Sequence, residues 1–190
     1  MNLTTAQTKQ LVEKYPYLAP HNSWTGDVVE DYDYTYTEAW GLPSGWHRLF
    51  YMLCKHLKPH LEKANLLNRF YFTQIKEKYG TMRVYTSALP DSVDHMIDLY
   101  ECYSKYICQS CGEPSEYCTT GWIAHLCGNC IKGDKESAER VNRTNVATFN
   151  CYTADSGYYK LQYSYRPIRT EYNKIRGMSD EEFFNYLIED

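Results

Sequence analysis

The order of apolar and polar positions divides the chain into a few readable elements. Near the start, TKQLVEK has helical spacing, and Pro16 ends it because proline lacks the amide proton that a helix needs. DYDYTYTEAW alternates: Tyr32, Tyr34 and Tyr36 share one face, with Asp31, Asp33, Thr35 and Thr37 on the other. A period of two predicts a strand with an acidic, solvated face. GLPSGW announces a helix capped by Ser44. Its apolar stripe is Trp46, Leu49, Phe50, Leu53, Leu57, Leu61 and Ala64, and Pro59 should kink or split it near Lys58.

RFYFTQIKEKYGTMRVYTSA predicts a β-hairpin, with Gly80 supplying the left-handed turn residue. Asp91 can cap a second helix whose buried stripe is Val93, Met96, Ile97, Tyr100, Tyr103 and Ile107. After Cys130, KGDKESAERVNRTN reads as an exposed helix or linker, and residues 146–165 are Tyr-rich and strand-like. At the end, Ser179 and Glu182 make a capping box for a helix with Phe183, Phe184, Leu187 and Ile188 on its apolar face.

These elements define an α+β fold. A helix–β-hairpin–helix core spans 41–107. An N-terminal segment with a short helix and the Tyr-rich strand (1–40) precedes it. A cysteine-rich insert (108–130) and a Tyr-rich segment ending in the amphipathic helix (131–190) follow, all in one compact unit.

Composition narrows the class. The 190 residues are enough to bury a core without disulfides. No apolar run reaches the length of a membrane span, and the start lacks the basic-then-apolar pattern of a signal peptide. The expected setting is the cytoplasm, where thiols stay reduced and eight cysteines favour metal binding or burial over disulfides. A net charge of −4 argues against a general nucleic-acid binder, but the charge is unevenly spread. Residues 41–86 hold eight basic and two acidic groups, and residues 156–178 hold five and one. These blocks either pair with the acidic remainder or form an anion-binding face.

Five of the cysteines fall in CQSCGEPSEYCTTGWIAHLCGNC, residues 108–130. Cys108-x2-Cys111 and Cys127-x2-Cys130, fifteen residues apart, have the spacing of a four-thiolate zinc ribbon. Each CxxC places two sulfurs on one side of a tight knuckle, and two knuckles make a tetrahedral cage suited to Zn²⁺. Gly112 lets the first knuckle turn so that backbone N–H groups point at the thiolates. Trp122–Leu126 reads as a strand into the second knuckle, Cys118 as spare, and His125 as a neighbour of the shell. Four cysteines close that shell, so the zinc is structural rather than catalytic. A deaminase pattern through Cys111-Gly112-Glu113 fails, because the second pair lacks its proline and Cys108 would be left over. His56 and His60 stand one turn apart but lack a third ligand. No HExxH, P-loop, GxSxG or GxGxxG occurs, and no nucleophile has an identifiable base, so no enzymatic activity is expected.

GWHRLFYMLCKHL, FTQIKEKYGTMRVY, SKYICQSCGEP and GWIAHLCGNC, in that order, resemble a family of small phage and prophage proteins. Its members share a Gly-Trp helix start, a QIKEKFG-like hairpin and a CxxCGxPG…GW…LCxxC ribbon. The resemblance covers residues 45–130, and Gln74–Gly80 is its more specific part. This chain has GEPSE where the pattern often has glycine after the proline, which leaves the cysteines untouched. The resemblance implies a phage accessory protein in a bacterial cytoplasm that binds a host target, such as a component of a defence system.

Four functional readings follow, one of them an enzyme of unrecognised type whose polar groups are assembled from distant residues. A protein-binding inhibitor would use the Tyr-rich segments, since Tyr and Trp dominate binding hot spots. A nucleic-acid binder would use Lys76, Lys78 and Arg83 on the hairpin. It would also draw on Arg166, Arg169, Lys174 and Arg176 interleaved with Tyr163, Tyr165 and Tyr172. A sponge for small nucleotide signals would use the same residues to stack a base and clamp phosphates. A homo-oligomer is compatible with each.

Overall fold

In a computed structural model of the chain, residues 2–87, 90–153, 155 and 157–189 are described. Among these described residues the fold is α+β, with small antiparallel sheets set among five α-helices.

The first helix, α1 (Thr5–Lys14), opens on a capping box: Thr4 Oγ1 accepts from Gln7 N–H, and the Gln7 side chain accepts from Thr4 N–H. It stops before Pro16, as the proline requires, and a 3-10 turn over Pro16–Leu18 buries Tyr17 and Leu18. The expected strand over Tyr32–Tyr36 does not form. Asp31 and Tyr34 take left-handed φ values of 59° and 64°, which no strand accommodates. Asp33 Oδ1 instead accepts from both the amide and the hydroxyl of Thr35, a local bond that competes with sheet pairing. The three tyrosines pack on one another, with Tyr32–Tyr34 and Tyr32–Tyr36 ring centroids 4.9 and 5.6 Å apart.

The long helix α2 (His47–Lys63) is the spine of the core. Leu49, Phe50, Leu53, Leu57 and Leu61 are buried as the stripe demands, and Tyr51, Met52 and Cys54 are buried as well. Ala64 lies past the helix end and is exposed. Ser44 is not its cap. A 3-10 turn over Ser44–Trp46 leads into α2, and the Ser44 hydroxyl donates to the Ser110 carbonyl. Pro59 does not split the helix, which runs on to Lys63; its ring sits on the exposed side in the C-terminal part of the helix, and the missing N–H removes the bond that would go to the Lys55 carbonyl.

The strands β1 (Phe72–Lys78) and β2 (Thr81–Thr86) form the expected hairpin. Its two turn residues, Tyr79 and Gly80, both have positive φ, 52° and 73°, the conformation that matches the twist of a two-residue hairpin. Ile75, Met82 and Val84 are buried beneath it. Lys76 opposite Arg83, and Lys78 opposite Thr81, put the basic side chains on the other face. The helix α3 (Asp91–Ser104), whose cap position falls on Pro90 rather than Asp91, lies along β2. Glu101 and Ser104 take the outward N–H groups of Val84 and Met82.

The cysteine segment forms a three-stranded sheet of two-residue strands, in the order β4 (His125–Leu126), β3 (Tyr117–Cys118), β5 (Glu139–Arg140). Residues 132–136 make a 3-10 turn rather than an α-helix. A second hairpin, β6 (Val146–Thr153) with β7 (Gly157–Ser164), accounts for the Tyr-rich strand pattern. An unexpected helix, α4 (Arg166–Ile175), follows, with Ile168, Tyr172 and Ile175 buried. The last helix, α5 (Asp180–Ile188), has the expected Ser179–Glu182 capping box and docks Phe183, Phe184 and Leu187 on the core. One buried apolar cluster draws on residues from Leu11 to Leu187.

Candidate metal centre

The local fold brings four sulfurs to one point. The Sγ atoms of Cys108, Cys111, Cys127 and Cys130 all lie within 4.8 Å of one another. Cys111 and Cys127 sulfurs are 3.6 Å apart, much too far for a disulfide of about 2.05 Å. A tetrahedral ion with metal–sulfur bonds of about 2.3 Å requires sulfur–sulfur edges of about 3.8 Å. The Cys111–Cys127 separation of 3.6 Å is close to that edge, no edge exceeds 4.8 Å, and all eight cysteines are free.

Backbone geometry builds both knuckles. In the first, Cys108 N–H donates to the Glu113 carbonyl at 2.7 Å and Gly112 N–H to the Cys108 carbonyl at 2.9 Å. Gly112 has φ +81°, the left-handed conformation glycine adopts without strain. In the second, Cys130 and Ile131 N–H groups converge on the Cys127 carbonyl. The sulfurs receive amide bonds, Cys111 from Glu113 and Cys127 from Asn129 and Cys130. Burial first, and the neighbouring sulfurs after it, push the Cys111 thiol well above its ordinary range. Four thiols so placed ionise together only around a cation, so the donor set fits a metal ion. Cys118 stands apart, its Sγ near the Thr119 carbonyl.

Two glycines clamp this unit to the core. Gly45, in the turn that leads into α2, lies against the first knuckle; its N–H donates to the Gln109 carbonyl at 2.9 Å. The neighbouring Trp46 is buried, with indole Nε1–H on the Ile107 carbonyl at 3.0 Å. From the other side, Gly80 in the hairpin turn touches His125 and Ile123. His125 donates from Nδ1 to the Gly80 carbonyl at 2.7 Å, which fixes its tautomer, and burial lowers its pKa so that the neutral ring prevails. His125 is therefore a strut between ribbon and hairpin. Tyr172 adds a third support, donating to the Gly112 carbonyl at 2.9 Å, and Arg176 pairs with Glu113.

The structure separates the other candidate binding residues. Lys76 and Lys78 share the outer face of the first hairpin with Arg83, but Arg83 is paired with Glu101 at 3.3 Å. Tyr163 packs on His95, Tyr165 and Tyr172 are buried, and Arg169 donates to Asn145. With Arg176 committed to Glu113, the Arg–Tyr interleaving around 163–176 is mostly packing rather than an open platform. Arg166 and Lys174 are exposed on α4.

Two arrangements escaped the sequence reading. The first is a cleft of about 410 Å³ between the β1–β2 turn and the loop before β4, lined by Glu77, Lys78, Tyr79, Gly121, Trp122 and Ile123. The available signal was an aromatic residue beside each turn glycine, Tyr79-Gly80 and Gly121-Trp122. The second is a polar chain through four helices. The Tyr100 hydroxyl (α3) is 2.6 Å from His56 Nδ1 (α2), His56 Nε2 is 2.9 Å from Glu171 Oε2 (α4), and the Tyr186 hydroxyl (α5) donates to Glu171 Oε1. His56 is thus engaged with Tyr100 and Glu171, not with His60. No single segment carries a signal for that chain.

Among the described residues, no helix is long and apolar enough to cross a membrane. No protein family, curated protein or solved structure matches the chain.

Proposed function

We propose that the chain is a zinc-braced accessory protein of phage type that acts by binding a host target, with inhibition of a bacterial defence system as the consequence. One observation carries the reading. Of four tryptophans, Trp46 is fully buried, while Trp24, Trp40 and Trp122 are 95, 73 and 84% exposed. Tryptophan has the largest apolar surface of any side chain and is the most enriched residue in binding hot spots. Three such rings held in water on a well-packed core suit a contact surface. The closed four-thiolate shell suits a structural zinc that stiffens this surface and leaves no position for a substrate. The phage context rests on the resemblance over residues 45–130.

The test is affinity capture from bacteria expressing the tagged chain, with Trp24→Ser/Trp40→Ser and wild type in parallel. A host protein retained by wild type and lost by a folded double variant supports the reading. Equal retention by both sinks it. Metal analysis of the same preparation should give one zinc per chain.

A further inference from the structure

We propose that the cleft between the β1–β2 turn and the 119–124 loop binds single-stranded nucleic acid. A base would stack against Tyr79 and Trp122, with the adjoining phosphates on Lys78 and Lys76. The inference rests on the proposed function only in taking Trp122 as a contact residue.

Three observations converge. First, both rings are exposed, Tyr79 at 70% with the Lys78 ammonium over its ring and Trp122 at 84%, and neither stacks on another aromatic among the described residues. Every base has a π-face, so paired aromatic walls accept one without reading its identity.

Second, the walls are fixed before any ligand arrives. Tyr79 precedes Gly80, whose carbonyl is held by His125 at 2.7 Å. The Trp122 loop is pinned by Thr119. That hydroxyl donates to the Trp122 carbonyl at 2.6 Å and accepts from Ala124 N–H at 2.8 Å, while Thr119 N–H reaches the Ala124 carbonyl at 3.0 Å. A preformed cleft loses little entropy on binding.

Third, the charge at the rim is anion-seeking. Lys58, Arg48 and Arg83 of the same basic block have carboxylate partners. Lys76 and Lys78 have none among the described residues; their ammonium groups lie over the Tyr85 and Tyr79 rings at 5.1 and 5.4 Å. The acid in the cleft, Glu77, is turned inward and accepts the Gly80 N–H at 2.6 Å. An aromatic cleft beside a free carboxylate would favour a cationic ligand. With the Glu77 carboxylate hydrogen-bonded to the turn, the Lys78 ammonium in the lining, and Lys76, which bonds Gln74, two residues along the same strand face, a phosphate-bearing ligand is favoured instead.

The test is fluorescence anisotropy with labelled oligothymidine and oligouridine of about 15 nucleotides, across a salt series. Trp122→Ala and Tyr79→Asn remove the rings; asparagine tolerates the left-handed backbone at 79. Each should weaken binding by roughly 5- to 150-fold. Lys76→Gln/Lys78→Gln should flatten the slope of log K against log salt by about 1.4, since each phosphate contact contributes about 0.7. Absence of binding at low salt, or binding indifferent to both ring variants, overturns the proposal. Thymidine monophosphate binding as tightly as the strand overturns the assignment to a strand. A peptide that occupies the cleft and excludes the strand overturns it too. Trp24→Ser/Trp40→Ser should bind oligonucleotide like wild type. If strand binding fails while that variant still loses its host protein, this inference falls and the proposed function stands.

Discussion

Gly45 lies so close to Cys108 that a Cβ at position 45 would stand 2.1 Å from the Cys108 carbonyl oxygen, and 2.7 Å from the Gln109 carbonyl oxygen and the Gly112 amide nitrogen. All three atoms are backbone of the first knuckle, so none can swing aside. Gly45→Ala must push the knuckle off α2, breaking the Gly45–Gln109 and Trp46–Ile107 bonds. The expected cost is about 3 kcal/mol or more, measured by urea unfolding, with faster release of any metal held by the four cysteines to a chromogenic chelator. A variant of wild-type stability would contradict the contact.

Metal removal should act on the core as well as the ribbon, because the knuckle is woven into it through Gly45, Trp46 and Tyr172. Cys111→Ser should lose the ion and unfold or aggregate. Chelation of wild type should lower Tm by about 6–12 °C, since roughly 3 kcal/mol corresponds to that shift in a chain of this size. Calorimetry with and without chelator checks it. An unchanged Tm would mean that the four sulfurs hold nothing.

The Tyr100–His56–Glu171–Tyr186 chain ties α2, α3, α4 and α5 together in one run of hydrogen bonds. His56→Ala leaves the Tyr100 hydroxyl, which is nearly fully buried, without its partner, and Glu171 without its cation-capable donor. The expected loss is about 2–3 kcal/mol. Because the groups act as a unit, His56→Ala and Glu171→Gln should be less than additive in a double-mutant cycle.

Glu101 is held between Arg83 and the Val84 amide, and burial raises its pKa to about 7. Its folded form therefore binds more protons than its unfolded form between about pH 4.5 and 7. Stability from this group is present below that window and lost as pH rises through it. Glu38, also raised to about 7 by burial, adds in the same direction. His21, His47 and His125, lowered by burial, act oppositely. Comparing Glu101→Gln with wild type isolates one group: the variant should lack a decline on the order of 2 kcal/mol between pH 5 and 8. Parallel curves would refute the burial argument.

What the sequence disclosed was local. The cysteine spacing located the four-sulfur cage because CxxC knuckles are made by adjacent backbone. The Tyr79–Gly80 turn and the Ser179–Glu182 box were legible for the same reason. The Tyr32–Tyr36 alternation misled, since a period of two makes a strand only where another strand can pair, and Asp33 offered Thr35 a closer bond. The helix α4 was readable in principle, from Ile168, Tyr172 and Ile175 at helical spacing, but the preceding tyrosines drew attention to strand. Tyr172 and Arg176 seemed part of a basic surface; their actual partners, Gly112 and Glu113, lie some sixty residues away and leave no trace in the local pattern.

The pairing of α1 with α5 has a consequence for synthesis. Asn2 N–H reaches Asp180, the Tyr15 hydroxyl donates to the Leu187 carbonyl, and Lys14 to that of Ile188. Of these two helices, the one synthesised earlier is completed by the one synthesised later. At about 5–20 residues per second, the surface around Leu11 and Tyr15 waits roughly 10 to 35 s for its cover. During that interval the four-cysteine cage, complete once residue 130 has emerged, is the early fixed point on which the nascent chain can organise. Ribosome-stalled chains ending before residue 179 should therefore resist protease across the ribbon while α1 is still cut.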